Sequence, residues 1–160
     1  MIVPWKHNKR YGQEQSYQVG MDWLATCDLV EDWGCALAYA KRFRKGRYRG
    51  IDGTAGAADQ VVDLSTYRSA AQGIFMRHIL EHNHDWRVIL TNALESFEKR
   101  MSLILYRPMR DTERVVLEKP VELDLPRFEL TRMVQPFLAG IEIVEGATHG
   151  HETIFYLERQ

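Results

Sequence analysis

The stretch that most restricts the fold of this chain is residues 28–63, DLVEDWGCALAYAKRFRKGRYRGIDGTAGAADQVVD. Leu29 and Val30 open a short apolar strand that ends in two acids, Glu31 and Asp32, and Gly34 begins the turn after it. CALAYAKRF follows, a run of strong helix formers that predicts a helix. Residues 47–51 predict the next strand, and Asp52 stands just past its end, about twenty residues after the turn. Nucleotide-binding α/β units place a carboxylate there to take the hydroxyls of a ribose. The stretch therefore reads as the front half of such a unit.

The remaining chain continues the alternation. KRYGQEQSYQVGMDWLAT becomes helical in pattern toward Met21 and Leu24. That segment, residues 1–26, predicts a helix across one edge of the sheet or a flap over a ligand. In the flap, Tyr11, Gln13, Glu14 and Tyr17 would close the pocket and Gly12 would supply backbone freedom. Residues 60–64 predict a third strand with Asp63 at its end, and STYRSAAQ a loop or single helical turn. A fourth strand is expected from Ile74 to Arg77 or Ile79, followed by a loop carrying His78, Glu81, His82 and Asn83. DWRVILTNALESFEKR is the clearest amphipathic helix, with Asp85 at its N-terminal end, and MSLILYRP reads as a buried fifth strand. RPMRDTERVVLEKPVELDLP, with three prolines, reads as irregular. LPRFELTRMVQPFLAG predicts a last helix, interrupted near Pro136 and ended by Gly140. IEIVEGATHGHETIFYLER then predicts two alternating strands joined by a glycine-rich turn. The expectation is an α/β sheet covered on both faces and closed by an antiparallel strand pair.

Composition narrows the function. A chain of 160 residues suits a single domain, residues 1–160. With 21 Lys and Arg against 22 Asp and Glu it has no global basic field to draw nucleic acid. Two cysteines, Cys27 and Cys35, exclude a disulfide scaffold and fit a reducing, cytoplasmic setting. No apolar run approaches the roughly 20 residues of a membrane span, and MIVPWKHNKR lacks the apolar centre of a signal peptide. The densest basic run, RFRKGRYR, reads either as the solvated end of a helix or as a docking patch for an anionic partner.

Ligands of open α/β sheets bind beyond the carboxyl ends of the strands, where strand order reverses. Polar groups stand at four such ends: Glu31 with Asp32, Asp52, Asp63, and the His78 to Asn83 group. The first turn lacks a G-x-G-x-x-G pattern, since Cys35, Ala36, Leu37 and Ala38 follow Gly34. A pyrophosphate, which needs close backbone approach at several glycines, fits poorly there. A nucleoside without phosphates fits better, and a cationic cofactor suits Glu31 and Asp32.

EDWGCALAYA, YRGIDGT, VVDL and IFMRHILEHN, in that order, resemble the successive motifs of class I S-adenosylmethionine-dependent methyltransferases, and the likeness extends to LILY and ETIFYLER. The resemblance implies a Rossmann-like, mostly parallel seven-stranded sheet with S-adenosylmethionine as cofactor. It implies contact with the methionine end of the cofactor from Glu31, Asp32, Trp33, Gly34 and Cys35. Asp52 and Gly53 would meet the ribose, Asp63 and Leu64 the adenine. His78, Glu81 and His82 would face the methyl group and acceptor as candidate catalytic bases or positioning groups. One departure is the replacement of the later turn glycines by Ala36 and Ala38. The reaction implied is direct displacement on the sulfonium methyl, aided by proximity and, where needed, a base. The acceptor is expected to be a small molecule rather than nucleic acid.

Two other readings stand beside this one. A non-catalytic protein could bind S-adenosylmethionine or S-adenosylhomocysteine without turnover. His78, Glu81 and His82 also spell the H-x-x-E-H zinc-hydrolase signature, which requires both histidines on one helical face, one turn apart. HNHDW does not space its residues as a nuclease would, and His149 and His151 flank Gly150 as a solvated turn.

Overall fold

The computed structural model describes residues 15–146 and 150–160. The predicted flap residues Tyr11, Gly12, Gln13 and Glu14, and His149, lie outside them.

A seven-stranded sheet forms the centre, in the order β3-β2-β1-β4-β5-β9-β8. Its members are β1 (Leu29–Trp33), β2 (Arg47–Asp52), β3 (Gln60–Val61), β4 (Ala71–Arg77), β5 (Phe97–Leu105), β8 (Leu138–Gly146) and β9 (Gly150–Glu158). The first five run parallel, and β9 pairs antiparallel with both β5 and β8. Strand order reverses between β1 and β4, which places the switch point at the carboxyl ends Trp33 and Arg77. The α/β architecture and the closing antiparallel pair are as expected.

The central strands divide their side chains between two cores. Trp33, Ile74, Met76, Leu103 and Phe155 pack on one face, under α2 (Trp86–Ser96) and α3 (Arg127–Val134). Val30, Phe75, Ile104 and Ile154 pack on the other, under α1 (Gln15–Trp23). Helix α1 buries Tyr17, Gly20, Met21 and, just past its end, Leu24, a spacing that lines one face of a 3.6-residue helix. It lies on the sheet face over β5 and, toward the edge, β9 and β8, with Tyr17 and Gly20 against Phe75 of β4. Gly20 allows that approach, because a Cβ there would stand 2.8 Å from the Phe75 ring. The helix begins at the carboxyl end of the sheet, where Ser16 meets Arg77, and finishes at the amino end, where Trp23 Nε1 donates to the Leu157 carbonyl. Among the described residues no helix is long and apolar enough to cross a membrane.

Several local expectations are corrected. The helix expected over CALAYAKRF is only a 3-10 turn, Tyr39–Phe43. Ala36 and Ala38 adopt left-handed backbone, φ 50° and 56°, and two such residues cannot continue a right-handed helix. The third strand stops at Val61, short of Asp63. The amphipathic helix ends at Ser96, and Phe97 already pairs with Ala71, so β5 starts four residues early. Here the sheet register overrides helix propensity. The stretch read as irregular holds a hairpin, β6 (Arg114–Glu118) and β7 (Val121–Asp124). Gly140 does not end the last helix; it lies inside β8, which begins at Leu138 directly after a 3-10 turn at Gln135–Phe137.

The basic run is partly tied inward, while Arg42, Lys45 and Arg47 are exposed. Arg44 donates to the carbonyls of Leu24, Cys27, Asp28 and Arg47, and Arg49 pairs with Glu31. Lys41 lies over the Tyr48 ring and Arg42 over the Tyr39 ring.

Candidate functional site at the carboxyl ends of the parallel strands

At the end of β1 the chain turns sharply, and both Gly34 N and Cys35 N donate to the Ile51 carbonyl, at 2.7 and 3.1 Å. Gly34 has φ 81°, and a Cβ there would fall 1.9 Å from Ile79 Cδ1. Glycine is required both by the backbone and by Ile79, which leans across from the loop after β4. Asp52 clasps this turn to the next loop. Its Oδ2 accepts from Ala36 N at 2.8 Å, and its Oδ1 from Thr54 N and Thr54 Oγ1. Gly53 sits half-buried beside it.

The two acids of β1 point to opposite faces, as alternation demands. Glu31 is 1% exposed on the α2 side, and both its oxygens are occupied. Oε1 accepts from Arg49 and Tyr67, Oε2 from the Trp33 indole and Ser69. Glu31 and Trp33 are therefore a buried knot and do not face the turn. Asp32 lies on the α1 side, buried, and accepts a 2.6 Å bond from the Tyr48 hydroxyl at Oδ2. Burial raises its carboxyl to about 7, against the lowering effect of that hydrogen bond and with a further push from Asp52. Its Oδ1 has no partner among the described residues. Cys35 is buried and its thiol is pushed up to about 12, first by burial and then by Asp32, Asp52 and Asp59.

The structure does not bring Asp63 and Leu64 to this point as a pair. Asp63 is exposed and caps its own turn by accepting from Ser65 N and Oγ, which lowers its carboxyl. Leu64 joins the α2-side core.

The loop after β4 does gather its predicted residues. His78 stands at the strand end with φ 57°, and its Nε2 meets Glu152 Oε1. Burial lowers His78 to about 4, only partly offset by the hydrogen bond to Glu152. Glu152 would be raised by its own burial, but the hydrogen bond from His78 and the charge of Arg77 hold it below the ordinary range. Arg77, also buried, donates to Glu152 Oε1 at 2.7 Å, to Ser16 Oγ and to the Tyr17 hydroxyl, and its guanidinium lies over the Tyr17 ring. Glu81 is fully buried in the 3-10 turn Leu80–His82. Its Oε1 accepts from Tyr106 N at 2.7 Å, while Oε2 is without a partner among the described residues, and burial raises the carboxyl to about 7. His82 bonds the Val121 carbonyl through Nδ1, and burial lowers it. The Tyr106 ring lies 4.7 Å from His78 and 5.5 Å from His82.

This geometry corrects the zinc reading. His78 and His82 sit in a left-handed residue and a short 3-10 turn rather than on one α-helical face, and they point to Glu152 and to Val121. Among the described residues no cluster of three His, Cys, Asp or Glu side chains could hold a metal.

Tyr48, Arg77, Tyr106 and Glu152 belong to the site and were not expected there. Each left a trace in the sequence: Arg77 and Tyr106 close the apolar runs GIFM and LIL, and Glu152 takes an inward-facing place in the alternation of β9. Tyr48 lies inside the basic run that had drawn the eye to its charges.

No family model and no curated protein matches the chain. Solved structures do. Magnesium protoporphyrin IX methyltransferase from Synechocystis PCC 6803, crystallised with S-adenosylmethionine, is 14% identical over 95% of this chain and 88% of that one, with a TM-score of 0.66. The N-terminal domain of EvdMO1, crystallised with S-adenosylhomocysteine and D-fucose, is 11% identical over 90% and 81%, with a TM-score of 0.65. Human N-acetylserotonin methyltransferase with S-adenosylmethionine is 8% identical over 91% and 52%, with a TM-score of 0.63. Together they show that this chain has the class I S-adenosylmethionine-dependent methyltransferase fold.

Proposed function

We propose that the protein binds S-adenosylmethionine at the carboxyl ends of β1, β2 and β4 and transfers its methyl group to an acceptor. The observation that carries the reading is that Asp32 and the Gly34 turn close β1 at the point where strand order reverses in a sheet of this fold. The residues fit such a cofactor. The Asp32 oxygen left unpaired offers an acceptor to an ammonium group, whose charge would hold the carboxyl ionised. Asp52 uses three acceptor positions internally, and a carboxylate has about four, so one lone pair is left for a ribose hydroxyl. Gly53 and Gly34 offer backbone without side chains.

When bound, the cofactor supplies an electrophilic methyl on a sulfonium centre. The protein's share is alignment and exclusion of water. His78, Glu81 and His82 act as positioning residues in this reading, because each is already engaged by Glu152, by the Tyr106 and Arg107 backbone, or by the Val121 carbonyl. Direct displacement needs no base when the acceptor arrives as a competent nucleophile.

A second reading, nucleoside binding without transfer, is favoured by one observation: Ile79 fills the space over Gly34. Isothermal titration with S-adenosylmethionine and S-adenosylhomocysteine tests both. Saturable binding at one site per chain, weakened about tenfold or more by Asp32→Asn, supports the site. No binding of either nucleoside overturns it. Binding with no methyl loss to any acceptor favours the second reading.

A further inference from the structure

Three guanidinium groups converge on one carboxylate in the segment between β5 and α3. Asp124, the last residue of β7, is fully buried. Its Oδ1 accepts from Arg107 at 2.8 Å, and its Oδ2 from Arg114 at 2.6 and 3.1 Å. Arg110 approaches Oδ2 only at 3.4 Å, through Nε. The other acids nearby do not balance the surplus. Glu122 stands 3.6 Å from Arg107, which already holds Asp124, and Glu113 is taken by Arg87 and the Trp86 indole. One forked arginine is enough to neutralise a buried acid, and each further cation adds repulsion between like charges. Arg110 and Arg114 keep 53% and 59% of their side-chain surface in solvent, and the terminal nitrogens of Arg110 have no partner among the described residues.

The cluster adjoins the candidate site. Arg107 follows Tyr106 directly, and its backbone N lies 3.5 Å from Glu81 Oε1. The Val121 carbonyl at the start of β7 is the partner of His82. The cluster is thus joined to the candidate site through Arg107 and through the start of β7.

We propose that Arg110 and Arg114 bind an oxyanion group, carboxylate or phosphate, carried by the methyl acceptor. The inference rests on the methyl-transfer reading and names the acceptor's chemical class. Planar forks of N–H donors suit both oxyanions equally, so the two sources are separated by experiment.

The test is titration of the wild-type protein with inorganic phosphate and, separately, malonate at constant low ionic strength. Arg110→Gln is the working variant, because its exposed side chain makes only the long contact to Asp124. Arg42→Gln, on the far surface, is the control. The expected result is that one anion binds, that Arg110→Gln weakens it about tenfold or more, and that Arg42→Gln binds as wild type. The anion that responds identifies the group. Binding of neither anion, unchanged binding in Arg110→Gln, or an equal loss in Arg42→Gln overturns the proposal. S-adenosylhomocysteine affinity is measured on the same three proteins and is expected to be equal in all. Its absence throughout refutes the methyl-transfer reading, while the anion titrations still decide the arginine site.

Discussion

Ala36 and Ala38 are the most informative residues to change. Both hold left-handed backbone, φ 50° and 56°, which costs an L-residue with a Cβ about 1–2 kcal/mol and costs glycine almost nothing. Replacing each by glycine relieves that term, while the freer unfolded chain takes back roughly 0.5–1 kcal/mol. The net expectation is about 0.5–1 kcal/mol of stabilisation per site, or roughly 1–2 kcal/mol for Ala36→Gly with Ala38→Gly. In a domain of this size that is a rise in Tm of roughly 3–6 °C. The bond from the residue 36 amide to Asp52 survives, since it uses only backbone. Leu37 is the internal control: it lies between the two alanines, 60% exposed and without positive φ, so Leu37→Gly should destabilise by about 0.5–1 kcal/mol. Urea unfolding followed by the fluorescence of buried Trp33 and Trp86 reads all three. A double variant less stable than wild type, or a Leu37→Gly variant that behaves like the alanine changes, refutes the reasoning.

Other expectations follow from the same contacts. Glu81 has a folded carboxyl raised to about 7 from an ordinary 4.5, so the native state holds a proton that the unfolded chain has released. Its contribution is intact below about pH 4.5 and is lost as pH rises to about 7, up to about 3 kcal/mol. Glu81→Gln should flatten that falling slope in urea midpoints taken from pH 5 to 8, leaving the share due to Asp32, whose carboxyl is also raised to about 7, and an unaltered slope would assign it elsewhere. Arg77→Met strands Glu152 without its buried cation and should cost about 3–5 kcal/mol, with Arg77→Met plus Glu152→Leu recovering much of it. Equal stability of the single and double variants would show that the pair is not the cause. Gly34→Ala should destabilise by about 2–4 kcal/mol through its clash with Ile79, and adding Ile79→Ala should restore part but not the φ term. No recovery at all would mean that backbone strain is the whole cost.

The parallel half of the sheet was legible because its signals are local: short apolar runs, each closed by a polar residue. The acid-and-glycine turn and Asp52 were legible for the same reason. What failed was decided between distant residues. CALAYAKRF has helix propensity, yet Asp52 reaches across to the Ala36 amide and fixes a left-handed turn that the alanines would not choose alone. Phe97 continues a helical stripe in sequence, but pairing with Ala71 draws it into β5. Glu31 and Asp32 are adjacent and look equivalent. Alternation sends one into a knot of four donors and the other beneath Tyr48, a difference set by Tyr67, Ser69 and Arg49, which come from elsewhere in the chain. The β6–β7 hairpin was hidden by its prolines, which border the two strands rather than interrupt them.

The direction of β9 bears on how the protein can be handled. That strand starts beside Leu105 at the carboxyl end of the sheet and reaches Glu158 opposite Arg100 at the amino end, so the chain leaves at the pole away from Asp32, Ile79 and the arginine cluster. A biotin or histidine tag after Gln160 would therefore tether the molecule by the pole opposite the candidate site. On a sensor chip or affinity resin, every copy would then present the strand ends that the titrations interrogate toward bulk solution.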